Sequence, residues 1–388
     1  MMGLSSRRAA IAWAALLAAA ALWFADAHGW RHGALWLIGA ALGIALLQAG
    51  FGFTGGFRAM IAERRGAGFR AQLLLIAMTL ALFTPVLAAG EAFGQPVRGF
   101  VFPIGIALLV GAFLFGIGMQ LGGGCGSGTL YTAGGGSLRM LLTLAFFVAG
   151  ATLAAWQGER WMTWPALAPV SLAAWLTPWG AAAVSLAILG GAGAVAARLE
   201  RARHGALAPI GGHGSLAFGP WPLAWGAAAI ALLSLATLVV AGRPWAITAA
   251  FPLWGSRLIE TVGLDDPAFW PYWEDPTRTE ALLRPVLADR ITVMDLGVMA
   301  GAAFAARLGG RGGTHTLPRP GEAAGSIIGG LLLGIGATLG MGCNISAYLG
   351  GIASGSLHGW AWIIPAFAGN VVGVMLRPLF GLSQRIRA

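Results

Sequence analysis

The amino-acid sequence predicts an all-α integral membrane protein, with about ten helical spans in two inverted repeats, broken or re-entrant half-helices and glycine-rich cysteine loops. Three observations carry that prediction. Hydrophobic residues make up 57% of the 388 and charged ones only 10%, with a mean hydropathy of +0.76, whereas about a quarter of the residues in soluble proteins are charged. Apolar runs of roughly the 20 residues that cross a hydrocarbon core recur along the whole length, which selects helices over barrel strands. Gly116–Leu130 (GIGMQLGGGCGSGTL) and Gly334–Tyr348 (GIGATLGMGCNISAY) share the frame G-I-G-x-x-L-G-x-G-C without a gap. The two cysteines of the chain, Cys125 and Cys343, both sit at that one point of the pattern.

Taken in order, Arg7 and Arg8 precede an apolar run from Ala9 to Phe24. Ala25-Asp26-Ala27 resembles a signal-peptidase site, but the next span follows at once, so a retained first helix is expected. The second span covers Gly33 to Gly50 and leads into GFGFTGGFR and a basic loop carrying Arg58, Arg64, Arg65 and Arg70. The third runs from Ala71 to Gly90, the fourth from Phe100 to Met119, and the fifth from Leu138 to Trp156. Trp156, Trp161, Trp164, Trp175 and Trp179 read as an interfacial belt, where amphipathic rings settle. A sixth span, Trp179 to Ala197, closes the first repeat (1–205), and a Gly/Pro/His-rich linker opens the second (206–388). The seventh span begins near Trp221 and ends near Ala241; Gly242 to Arg290, the longest polar stretch, is expected as an external loop with a short helix. Spans eight (Val286–Ala306), nine (Gly321–Leu339) and ten (Gly359–Phe380) complete one membrane domain.

The net charge of +10 could suggest a nucleic-acid partner, but the chain has no lysine and its arginines are scattered between spans. Threading ten spans with both termini inside puts sixteen of the 24 arginines, including Arg311, Arg385 and Arg387, on the cytoplasmic side with only three of the 14 acids. Positive-inside orientation accounts for the charge. Span four then runs inward before Cys125 and span nine outward before Cys343, so the halves are inverted. FGFTGGF (Phe51–Phe57) and WAITAAF (Trp245–Phe251) occupy corresponding points and share Thr54/Thr248 and the final phenylalanine. Inverted repeats with broken helices are a transporter architecture whose substrate sits at the repeat interface.

The segments after each cysteine read as half-helices, whose starts offer unpaired N–H groups and the positive end of a dipole, a general anion site. Gly124, Gly126 and Gly342 leave that backbone accessible, and Ser127, Thr129, Asn344 and Ser346 add donors. Irregular backbone at membrane depth is tolerated where it lines a cavity. A thiol is a weak, polarizable donor suited to a soft, sulfur-containing anion, and it must be neutral there, since a thiolate would repel the ligand.

A lone membrane cysteine is ordinarily a packing residue; the confinement of both to matching glycine loops is what assigns them to a site. Close helix packing is the better account of many of the 62 glycines, including Gly39, Gly43, Gly369 and Gly373. Arg139 reads as a topology anchor. Asp295 in span eight reads either as a pathway residue or as a hydrogen-bond partner between helices. The six histidines show no metal-ligand spacing, and no cofactor or catalytic residue is indicated.

The paired cysteine loops with FTxxF-like elements ahead of them resemble the YeeE/YedE family of bacterial thiosulfate permeases, over nearly the whole chain. The resemblance implies an inner-membrane protein of hourglass shape, passing thiosulfate along cysteines by S–H···S hydrogen bonds without large rocking motions. Cys125 and Cys343 match the two central cysteines of that pattern. Many relatives carry another cysteine in or near the first FTxxF element, where this chain has Gly52. Some relatives are linked to selenium metabolism or to sulfur-carrier proteins of the TusA type, so a separate carrier is an implied partner. The rival from another class is a membrane thiol oxidoreductase using the same two cysteines, which needs their Cα atoms within about 7 Å; the inverted threading expects them on opposite sides of the midplane.

Overall fold

The computed structural model describes residues 4–216, 218–309 and 316–384; Arg311, Arg385 and Arg387 of the charge threading lie outside them. Helices α1 (Leu4–His28) and α2 (Trp30–Ala49) are followed by a short α3 (Phe53–Glu63), then α4 (Ala67–Ala89) and α5 (Ile106–Gly122). After Cys125 comes α6 (Gly126–Gly134), then α7 (Leu138–Trp156), a single turn α8 (Gly158–Trp161) and α9 (Leu172–His204). The rest comprises α10 (Leu223–Ala241), α11 (Ala250–Thr261), α12 (Pro276–Leu283), α13 (Arg290–Leu308), α14 (Pro320–Leu339), α15 (Gly350–Ala353) and α16 (Leu357–Leu376). Two pairs of two-residue strands, Glu91–Ala92 with Gln95–Pro96 and Ile104–Gly105 with Ala166–Leu167, pin connections. Among the described residues ten helical segments are long and apolar enough to cross a membrane, beginning within α1, α2, α4, α5, α7, α9, α10, α13, α14 and α16.

Glycine decides which helices touch. In an apolar solvent helices associate by close packing, so small residues collect where backbones meet. A Cβ on Gly39 would overlap the Met294 carbonyl and one on Gly43 that of Val298, while Gly297 and Gly301 face Trp36 and Ala40. Contact positions rise together, so α2 and α13 run in parallel. Gly111 meets Gly336 and Gly340, and Gly118 meets Gly329 and Leu333, so α5 and α14 are antiparallel. Gly116 abuts Ala366 and Gly373 abuts Gln120, which makes α5 parallel to α16, and Gly330 and Gly334 meet Phe146 and Phe147, which makes α14 parallel to α7. Replacing Gly43 by any larger residue would force α2 off α13.

Three sequence expectations are corrected. Trp156, Trp164, Trp175 and Trp179 are exposed, but Trp161 is buried and its Nε1 donates to the Ala154 carbonyl at 2.8 Å. The indole found an internal acceptor, so it leaves the belt. The 242–290 segment is not wholly an external loop: Ile247–Ala249 forms a turn that runs into α11, and Phe251 is fully buried with its ring centroid 4.7 Å from that of Phe147. The amphipathic run Ala250–Thr261 buries one face against α7, which a polarity scan averages away. Span six is longer than expected, with a break at Thr177 ahead of Pro178. One buried ion pair, Arg70 Nη2 to Glu200 Oε2 at 2.8 Å, ties α4 to α9.

Candidate functional site

Helix α5 ends at Gly122, and Gly123 takes a left-handed φ of 91°, a conformation glycine adopts without a Cβ clash. The chain extends through Cys125, which caps α6: its Sγ accepts the Gly128 N–H at 3.4 Å and lies 3.5 Å from Ser127 Oγ. Gly124 allows the closeness, since a Cβ there would stand 2.8 Å from Thr129 Oγ1.

The second loop reaches the same end by a different route. Met341 and Gly342 both have positive φ, 57° and 135°, before Cys343 caps a stretch of π-helix, Asn344–Leu349, that continues as α15. A non-glycine residue in the left-handed region and a π-helix are both costly and cluster at functional sites. Ser346 Oγ accepts the Cys343 N–H at 2.9 Å and donates to Cys343 Sγ at 3.6 Å. Both sulfurs therefore accept a hydrogen bond from their own loop.

The two loops meet. A Cβ on Gly126 would stand 3.1 Å from Cys343 Sγ and 3.3 Å from Thr248 Cγ2, so the glycine after Cys125 is the surface on which Cys343 and Thr248 rest. Both cysteines are buried free thiols. The inverted threading expects the two cysteines on opposite sides of the midplane; the side chain of one packs on the chain neighbour of the other.

A cavity opens on each side of this contact. One, of about 370 Å³, is lined by Gly52, Thr54, Arg58, Gly124, Cys125 and Tyr131. The other, of about 290 Å³, is lined by Thr248, Gly342 and Ser346 together with Arg243, Tyr272, Asp275, Arg278 and Asp289. Their ends are opposite. His32 Nε2 pairs with the Ala288 carbonyl at 3.0 Å, which puts the starts of the parallel α2 and α13 side by side. The second cavity reaches Asp289 and Ile291 at those starts, whereas the first reaches Gly50 and Phe51, past the end of a helix about 30 Å long.

Of the nine residues singled out from the sequence, Thr54, Gly124 and Cys125 line one cavity, and Thr248 and Gly342 the other. Gly126, Ser127, Cys343 and Asn344 line neither and belong to the buried loops between. Thr54 Oγ1, Thr129 Oγ1 and both amide atoms of Asn344 are buried with no hydrogen-bond partner. Each such atom costs about 1–3 kcal/mol when left unpaired, and these lie in or next to the two cysteine loops and the α3 start.

At the mouth of the second cavity, burial pushes the Tyr272 phenol up from its ordinary pKa, and the Arg278 guanidinium lies 4.3 Å from its ring centroid. Asp275 caps α12 and is held below the usual carboxylate range, chiefly by the Thr277 hydroxyl.

Asp295 is buried, accepts the Trp245 indole N–H at 3.3 Å and keeps Oδ2 without a partner. Arg139 does more than anchor topology, because its Nη2 donates to the Leu121 carbonyl at 3.0 Å and its Nε to Ser326 Oγ at 3.2 Å. Gln72, Gln120, Tyr131 and Asn370 were missed by sequence reasoning. Their signal was polarity inside apolar runs: Gln120 lies in the repeated frame itself, where the second copy has Thr338.

The family model described as sulphur transport matches residues 48–372. The chain is 32% identical over 162 residues to the probable transporter YedE of Escherichia coli, covering 41% of this chain and 39% of that protein. That match thus spans about two fifths of the relative's length. The chain is 25% identical over 359 residues to the thiosulfate transporter TsuA of Spirochaeta thermophila, 86% of this chain and 95% of the relative. It is 34% identical over 112 residues to the Escherichia coli thiosulfate transporter TsuA, 28% of this chain and 30% of the relative.

Proposed function

This chain belongs to the sulphur-transport family, and from that premise we propose that it is a permease that imports thiosulfate, or a similar sulfur-containing anion, across the bacterial cytoplasmic membrane. The observation that carries the reading is the packing of Cys343 and Thr248 on Gly126, with a cavity on either side. Thiosulfate is the first choice of substrate because two of the relatives carry that name and because its terminal sulfur is a soft acceptor for a neutral thiol.

The anion enters the cavity bearing Arg243 and Arg278, meets Cys343, passes to Cys125 and leaves by the cavity bearing Arg58. Gly124, Gly126 and Gly342 admit it to the backbone, and Thr54, Thr248, Ser127 and Asn344 supply donors. The arginine-rich ends make the Arg58 side cytoplasmic, with both termini there. A separate TusA-type carrier protein would accept the substrate on that side.

The reading rests on two inverted repeats, 1–205 and 206–388, each with re-entrant half-helices. Support comes from packing that recurs with the halves exchanged: α14 on α7 as α5 on α16, α13 on α2 as α4 on α10, and α13 on α6 as α4 on α15. The antiparallel course of α5 and α14 agrees with inversion. Helix α6, at nine residues, spans roughly 14 Å and is too short to cross a bilayer. Cavities at opposite ends with a buried constriction agree with an hourglass.

The packing of Cys343 on the residue that follows Cys125 also favours a second reading, a membrane thiol oxidoreductase. Uptake of labelled thiosulfate in a strain without other sulfur-anion permeases separates them. Transport by the intact chain that survives full reduction of the thiols supports the permease; no uptake, with a Cys125–Cys343 disulfide that cycles in the membrane, supports the redox enzyme. Movement of a selenium species in place of thiosulfate would retain the permease and change its cargo.

A further inference from the structure

An anion in the cavity beside Cys125 is opposed by every backbone carbonyl oxygen near it, and two chain segments rich in carbonyls lie at its lining or directly behind it. Gly52 and Thr54 line it at the start of α3, with Phe53 between them; Gln120, Leu121 and Gly122, the end of α5 where the partial negative charge of a helix dipole gathers, directly precede its lining residues Gly123, Gly124 and Cys125. All six of these oxygens are taken by side chains. Gln72 Nε2 donates to the Gly52 and Phe53 carbonyls, each at 3.2 Å. Gln120 Nε2 donates to the Thr54 carbonyl at 3.1 Å and to Asn370 Oδ1 at 2.7 Å, which fixes the orientation of its amide. At the end of α5, Arg377 Nη1 donates to the Gln120 carbonyl, Arg139 Nη2 to Leu121 and Thr143 Oγ1 to Gly122 at 3.1 Å.

Satisfying the backbone does not require all of this. The Gly52 carbonyl already accepts the Gly56 N–H at 3.4 Å, and Phe53 and Thr54 begin a helix whose own next turn uses their carbonyls. The glutamine contacts are therefore additional. They also leave Gln72 Oε1 and Gln120 Oε1 buried without partners, a cost that local stability does not explain. Gly56 is part of the arrangement, because any Cβ there would overlap Gln72 Nε2. Behind Gly123 two guanidinium groups, whose charge is permanent, cap the Leu121 and Gln120 carbonyls, which a neutral donor would serve equally well for helix stability.

We propose that Gln72, Gln120, Thr143, Arg139 and Arg377 are positioning residues that withhold these six backbone carbonyl oxygens from an anion in the cavity beside Cys125, so that a small oxyanion meets fewer competing acceptors there. The thiol of Cys125, Thr54 Oγ1 and the Tyr131 hydroxyl then face the ligand with less competition from these carbonyls. Selectivity for anions is built from the layer behind the wall, and this deepens the permease reading on which it rests.

The test uses the full chain in proteoliposomes, measuring KM and Vmax for sodium thiosulfate uptake alongside the melting temperature. Gln72→Met keeps volume and removes the donor; Gln72→Glu replaces a donor by a charged acceptor. The expected KM order is wild type, then Met at roughly tenfold, then Glu higher still, with Vmax held within about threefold; tenfold is the ordinary worth of one such hydrogen bond to an anion site. Arg139→Lys, which keeps charge and donor, is expected within about threefold of wild-type KM, and Arg139→Met at roughly tenfold or more. Unchanged KM in both Gln72 variants overturns the proposal, as does a loss of Vmax and melting temperature together with no shift in KM. If Gln72→Glu fails to fold, the Lys and Met variants of Arg139 decide it in the same way. A wild-type protein that prefers another sulfur oxyanion removes the substrate reading alone; the same variants assayed with that anion then test the masking.

Discussion

Cys343 Sγ stands 3.1 Å from where Gly126 would carry a Cβ, so the residue that follows one cysteine forms the seat of the other. The backbone at Gly126 is helical and needs no glycine for its dihedrals; the need is room. Gly126→Ala is expected to push Cys343 and Thr248 back by a few tenths of an ångström, and Gly126→Val by more. Because misplacement of about 1 Å in a reacting or relaying constellation can cost on the order of 100-fold, transport should fall about tenfold for Ala and further for Val. Uptake rates beside melting temperatures check this, and equal transport by both variants would contradict the seat.

Gly52 has space to spare. Its φ of −151° suits any residue, and the one atom within 4 Å of its Cβ position is the Tyr131 hydroxyl at 3.7 Å. Gly52→Cys is therefore expected to fold with a stability change within about 1 kcal/mol. The new thiol should react with a small methanethiosulfonate reagent from the Arg58 side and be protected by thiosulfate. Labelling without protection would argue that the anion does not reach this cavity.

Glu200 is fully buried against Arg70. Removing one partner leaves an uncompensated buried charge, which costs about 3–5 kcal/mol. Arg70→Met should lower the melting temperature in detergent sharply, whereas the double variant Arg70→Met/Glu200→Leu should recover most of the loss. Equal losses in the single and double variants would show that the pair contributes through something other than charge compensation.

Asp275 titrates below the ordinary carboxylate range because its ionised form accepts from the Thr277 hydroxyl and caps α12. A depressed folded pKa contributes stability that is present above the unfolded value, near 3.9, and is lost as pH falls through the folded one. Protection of the 265–285 segment from proteolysis should thus be flat from neutral pH down to about 4 and fall below it. Asp275→Asn, which caps without ionising, should remove that acid dependence; an unchanged acid profile would assign it to another group.

Much of the fold was legible because the membrane writes it into composition: a span must be apolar for about 20 residues, and the ten expected spans fall on ten observed segments. The cysteine loops were legible because they recur in register. Partner choice was not. Gly116 and Gly118 look alike in sequence, yet one seats α16 and the other α14. The approach of Cys343 to Gly126 was hidden because charge threading fixes the side of a loop but not its depth. Gln72 and Gln120 were passed over because a single polar residue in a long apolar run barely changes its mean. Their amides matter through carbonyls that lie far away in sequence, and no local pattern records that.

The central claim is that Cys343 and Cys125 hand a sulfur anion across the constriction as neutral thiols. Its most direct measurement is radiolabelled thiosulfate uptake into proteoliposomes containing wild-type protein, Cys125→Ser or Cys343→Ser, under full reduction. The account predicts robust uptake by the wild type and a loss of at least about tenfold in each variant, with melting temperatures close to the parent, because a hydroxyl is smaller and a poorer match for a soft sulfur. Wild-type rates in both serine variants would contradict it.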